Sequence, residues 1–116
     1  MDNETRGGRR VGQGSKWIRR STRLAIYARD GHACAYCARG VEDGVVLTLD
    51  HLVPCELGGS NAPTNLVTAC ISCNSARQDL SLRAWLRVLR DRGIDTDGMA
   101  RRIGVLRRRQ LDRAAA

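Results

Sequence analysis

The sequence predicts a small α+β domain stapled by a metal, and three observations predict it. Two Cys-x-x-Cys pairs stand either side of a short β-branched run, the last third has helical periodicity, and little material exists for a large apolar core. The 116 residues contain no Phe; Trp17, Tyr27, Tyr36 and Trp85 are the only aromatics, and 28% of residues are charged. A small domain this short of large apolar side chains needs a disulfide or a metal.

The cysteines supply the metal reading. Of five, four form the pairs Cys34–Cys37 and Cys70–Cys73, with residues 38–69 between them. No apolar run approaches the roughly 20 residues that span a bilayer, and the polar, Arg-rich start has no signal-peptide core. A cytoplasmic, reducing location is therefore expected, where such pairs read as a metal site rather than a disulfide framework. Two knuckles turning two sulfurs each toward one point complete a tetrahedron around Zn²⁺, with Zn–S of about 2.3 Å. Four thiolates leave no open position, so one structural Zn²⁺ is expected. The competing readings are two redox motifs or unrelated buried cysteines. Cys55 is left over and reads as a buried or half-buried residue without a metal role.

Along the chain, residues 1–14 are Gly- and Arg-rich and read as a disordered basic arm. Ser21 or Thr22 caps a helix to Arg29 with Leu24, Ala25 and Ala28 as its apolar stripe, ended by Asp30-Gly31. Val45–Leu49 reads as a strand running into Asp50-His51. Pro54 and Gly58-Gly59-Ser60-Asn61 mark an irregular loop, and 65–68 a short extended piece. Asn74 sits on the helical turn that the second cysteine pair opens. Ser81 then caps a helix with Leu82, Trp85, Leu86 and Leu89 inward and Arg83, Arg87 and Arg90 outward, closed by Gly93. A last helix runs from Asp95–Asp97 toward Arg113, with Met99, Ile103, Leu106 and Gln110 on one face. The expected organisation is an arm at 1–14, a zinc-knuckle domain at 15–80, and a helical extension at 81–116 packed on it.

Charge points to a polyanion. Twenty basic against twelve acidic residues give +8, and Lys16 is the only lysine. Arg makes planar bidentate contacts to phosphate, which suits nucleic acid; GC-rich codon usage explains the same bias. The chemistry sits in LTLDHLVPCELGGSNAPTNLVTACISCN. Asp50 and His51 are adjacent at a strand end, where a kink would turn both toward one site, and Asn65 and Asn74 lie across a Gly-rich loop. A carboxylate and an amide oxygen suit Mg²⁺, and a nearby His can take a proton from water, which fits phosphodiester hydrolysis. The same residues also fit a local Asp-His hydrogen-bonded pair and ordinary Asn-Gly loop chemistry.

From about Arg29 to Gln78 the chain resembles the HNH endonuclease family in its zinc-containing form. The matching residues are Arg29-Asp30-Gly31, Cys34-x-x-Cys37, Asp50-His51, Pro54, Gly58-Gly59, Asn65-Leu66 and Cys70-x-x-Cys73-Asn74. The resemblance implies a ββα-metal, treble-clef-like finger with flanking helices. It makes His51 the general base, Asp50 a metal ligand, Asn65 the holder of the loop that orients the His, and Asn74 the second metal ligand. Many members have His where this chain has Asn74, so the expected catalytic metal is Mg²⁺ or Mn²⁺ rather than Zn²⁺ or Ni²⁺. Arg19, Arg20 and Arg77 are the candidates for DNA contact, Arg77 equally fitting a solvated helix face. The resulting expectation is a metal-dependent endonuclease acting on double-stranded DNA, as a homodimer or part of a larger phage or bacterial assembly. The alternative is a zinc-stabilised nucleic-acid-binding module that does not cut.

Overall fold

A computed structural model describes residues 18–112; the expected basic arm and the end of the last helix at Arg113 lie outside them. The elements in order are α1 (Arg20–Arg29), β1 (Leu47–His51), β2 (Leu66–Cys70), α2 (Ile71–Arg77), α3 (Leu82–Asp91) and α4 (Thr96–Leu106). Short 3₁₀ turns lie at Val41–Asp43, Cys55–Leu57 and Pro63–Asn65. The result is a small α+β fold around a two-stranded antiparallel sheet, in which Leu49 faces Thr68 and His51 faces Leu66. Among the described residues no helix is long and apolar enough to cross a membrane.

Successive strand residues point to opposite faces, and each face has its own core. Val67 and Ala69 pack on one face with Tyr36, Leu52, Trp85, Leu89, Met99 and Ile103, bringing α3 and α4 over the cysteine knuckles. Leu49 and Leu66 pack on the other with Ile26 of α1, flanked by Ile18, Tyr27 and Leu111. Trp85, 1% exposed, sets its ring edge-on to Tyr36 with centroids 5.7 Å apart. That contact ties α3 to the first knuckle.

The C-terminal helices form as their periodicity predicts. Ser81 Oγ accepts from Ala84 N at 3.1 Å and Asp95 Oδ1 from Gly98 N at 3.1 Å, each capping orphan donors of a first turn. Leu89, Met99, Ile103 and Leu106 are buried. Four expectations shift. α1 begins at Arg20 with no side-chain cap, and it buries Ala25, Ile26 and Arg29 rather than Leu24 and Ala28. β1 starts two residues late, because Val46, 61% exposed, precedes the pairing and only its carbonyl is used, by Ile71 N. α4 ends at Leu106, so Gln110 is exposed and Leu111 turns back onto the sheet. Cys55 is exposed, at the start of a 3₁₀ turn in the loop.

Candidate active site and metal centre

The Sγ atoms of Cys34, Cys37, Cys70 and Cys73 all lie within 4.8 Å of one another and could hold a metal ion. A tetrahedron with arms of about 2.3 Å has edges of about 3.8 Å, and Cys37 Sγ lies 3.8 Å from Cys70 Sγ. Backbone N–H groups point at the sulfurs as thiolate ligands require. Cys34 Sγ accepts from Tyr36 N and Cys37 N, and Cys70 Sγ from Cys73 N, which also caps α2. Ala38, at φ 68°, closes the first knuckle in the left-handed region, and Arg39 Nε donates to Cys37 Sγ. Among the thiols themselves charge falls on Cys34, drawn down to about 4 chiefly by the hydrogen bond from Cys73. Cys73 is pushed up, by that same bond first and by burial next. A divalent cation held there would supply the positive charge that lets all four ionise together.

Asp50 and His51 leave β1 on opposite faces. Asp50, 7% exposed, turns inward: its Oδ2 accepts from Tyr36 Oη at 2.5 Å and from Arg77 Nη1 at 2.6 Å. Arg77 is fully buried. Its Nη1 also reaches Tyr36 Oη and the His51 carbonyl, Nη2 the Leu52 carbonyl, and Nε the Leu80 carbonyl. The expected phosphate contact by Arg77 therefore gives way to an interior role, because its donors are spent inside the fold. Burial first, then the adjacent Asp50 carboxylate, pushes the Tyr36 phenol well above its usual range, so it remains a donor to Asp50.

His51, half-buried, stands on the outer face beside Leu49 and opposite Leu66, with Nε2 2.8 Å from Asn61 Oδ1. An amide oxygen only accepts; this bond places a proton on Nε2, so that in the neutral ring Nδ1 carries the lone pair. The expected kink that would turn Asp50 and His51 to one side is absent: the pairing with β2 runs unbroken through both, so they point to opposite faces. Asn74, half-buried on α2, donates Nδ2 to the Leu49 carbonyl at 3.3 Å, one residue before Asp50.

The loop that follows His51 is held by side-chain as well as backbone hydrogen bonds. Asn65 bridges it, Oδ1 accepting from Val53 N and Nδ2 donating to the carbonyls of Val53 and Ser60. Gly59 must lack a side chain, since a Cβ there would sit 1.6 Å from the Val53 carbonyl oxygen. Outside the loop, Arg29 donates to the carbonyls of Pro63 and Leu66 while its Nε holds Asp30 Oδ1 at 2.7 Å. Asp30 in turn accepts from Thr68 N. Arg107 Nε donates to the Thr64 carbonyl. Sequence reasoning gave Tyr36, Asn61 and Arg107 no part in fixing Asp50, His51 or the loop between them. It gave Arg29-Asp30 only a helix end and a motif match. Arg19 and Arg20 are exposed at the start of α1.

Residues 34–84 match the family model described as HNH endonuclease. No curated protein and no solved structure matches the chain.

Proposed function

Since residues 34–84 belong to the HNH endonuclease family, we propose that this chain is a metal-dependent endonuclease that hydrolyses phosphodiester bonds of double-stranded DNA. The run β1–loop–β2–α2 is its ββα-metal finger, and the cysteine tetrad holds one structural Zn²⁺. The observation that carries the reading is His51: a half-exposed imidazole with Nε2 engaged by Asn61 and its loop held by Asn65, Arg29 and Arg107. Such a rigid mount keeps Nδ1 in place to take a proton from an attacking water, a contribution of about 10²–10⁴-fold.

The donor chemistry of the adjacent Asp50 and of Asn74 fits a hard divalent cation. Asp50 Oδ2 is committed to Tyr36 and Arg77, which leaves Oδ1, and Asn74 anchors through Nδ2, which leaves its own Oδ1. Those two oxygens would hold Mg²⁺ or Mn²⁺, which when bound stabilises charge developing on the phosphate. Arg77 fixes the Asp50 carboxylate through Oδ2, and Tyr36 shares that work. With Arg77 offsetting the Asp50 charge, these two oxygens would hold a cation weakly by themselves, and substrate phosphate oxygens would have to complete its shell.

The buried Asp50–Arg77 pair also suits a second reading, a zinc-stabilised module that binds nucleic acid without cutting, in which Asp50 serves the core alone. A plasmid assay separates the two. Supercoiled DNA with Mg²⁺ or Mn²⁺ should give nicked or linear product, and none in their absence. Protein that holds one zinc per chain and shifts DNA on a gel, yet never cuts with either metal, would overturn the nuclease reading.

A further inference from the structure

With Arg77 buried, the phosphate-binding side chains must lie elsewhere, and two distant stretches of sequence supply them on the face that carries His51. Ile18 and Leu111 both pack against the cluster of Ile26, Leu49 and Leu66. Leu49 is two residues before His51 on the same strand face, and Leu66 is paired with His51 across the sheet. Ile18 leads directly into Arg19 and Arg20, and Leu111 follows Arg107-Arg108-Arg109 by one residue. The second stretch is pinned at both ends, by Arg107 on the Thr64 carbonyl and by Leu111 on the sheet. Arg108 Nη1 closes the end of α4 on the Gly104 carbonyl. Arg19, Arg20, Arg108 and Arg109 are all exposed. No acidic residue occurs in 18–29 or in 98–111; Asp30, Asp97 and Asp112 border the two stretches.

We infer that Arg19, Arg20, Arg108 and Arg109 form one basic surface bordering His51, and that it tracks the backbone phosphates of duplex DNA. The inference rests on the nuclease reading for the position of the scissile phosphate, and it adds the surface that presents the strand to His51. Contacts of this kind position the duplex without reading its sequence. The outward arginines of α3, Arg83 and Arg87, belong to the helix packed over the opposite face of the sheet, and take no part.

The salt dependence of binding tests this directly. Fluorescence anisotropy of the full chain with a labelled duplex, without added divalent metal, gives the slope of log K against log salt. Each lost phosphate contact lowers its magnitude by about 0.9. Arg19→Gln/Arg20→Gln and Arg108→Gln/Arg109→Gln should each lower it by about 1.8, equally for unrelated duplex sequences. The corresponding Lys variants should restore it, and Arg83→Gln/Arg87→Gln should leave it within about 0.5 of wild type. Full slope in both patch variants, or an equal loss in the Arg83/Arg87 control, would overturn the assignment. The nuclease reading is judged separately, on wild-type plasmid cleavage. A patch-dependent slope in a protein that cuts nothing leaves this surface standing and removes only the catalysis, whereas normal cutting with an unchanged slope removes the surface alone.

Discussion

The two faces of the β1–β2 sheet treat adjacent residues of one motif in opposite ways. Inward, Asp50 is sealed against Tyr36 and Arg77, with the guanidinium fully buried and bonded to three backbone carbonyls. Outward, His51 is half-exposed and held by the Asn61 side chain, on the face inferred to carry the exposed arginines. The inner face is a closed polar network, in which a missing partner leaves a buried charge uncompensated. The outer face leaves a ring nitrogen available. The difference gives Asp50 a fold-holding role through Oδ2 beside its proposed metal role through Oδ1, and leaves proton transfer to His51 alone, within two consecutive residues.

Perturbations should separate the faces in a graded way. The largest effect comes from the cysteine tetrad, which supports both. Structural zinc binding carries about 10–16 kcal/mol in small metal-stabilised domains, so Cys34→Ser or exhaustive chelation should unfold the chain. Retained far-UV circular dichroism and an unchanged melt in metal-free protein would break the premise that the tetrad staples the fold. Next is the inner face alone. Arg77→Met strands the Asp50 carboxylate and should cost about 3–5 kcal/mol in a urea melt. Adding Asp50→Asn should recover part of that loss, and a double variant no better than the single one would show that Arg77 acts through its carbonyl bonds instead. Smaller again, Tyr36→Phe removes one hydrogen bond to a charged carboxylate, about 1.5–3 kcal/mol. On the outer face, Asn61→Ala should change stability by no more than about 1 kcal/mol while slowing cleavage. A cleavage rate equal to wild type would release His51 from its supposed anchor.

What was legible in the sequence was local. The Cys-x-x-Cys spacing sets each knuckle by itself, and Ser81 and Asp95 cap their helices with donors three residues away. The amphipathic spacing of Leu89, Met99 and Ile103 needs no partner to be recognised. What was not legible depended on contacts across the chain. Arg77 lies on a seven-residue helix, too short for its periodicity to show that this position points inward. Tyr36 reads as knuckle filler until β1 places Asp50 against it. Asn61 resembles any loop Asn beside glycines, and Arg107 any member of an arginine run, until the fold brings His51 and Thr64 to them. The kink expected at Asp50-His51 assumed one shared site, whereas the buried guanidinium gives Asp50 a partner on the far side.

The most direct measurement of the division between the two faces pairs a melt with a single-turnover cleavage rate for His51→Ala, at matched zinc content and matched DNA affinity. The account predicts stability within about 1 kcal/mol of wild type and a rate lower by about 10²-fold or more. A variant that cuts at the wild-type rate, or one that unfolds like Arg77→Met, would contradict it.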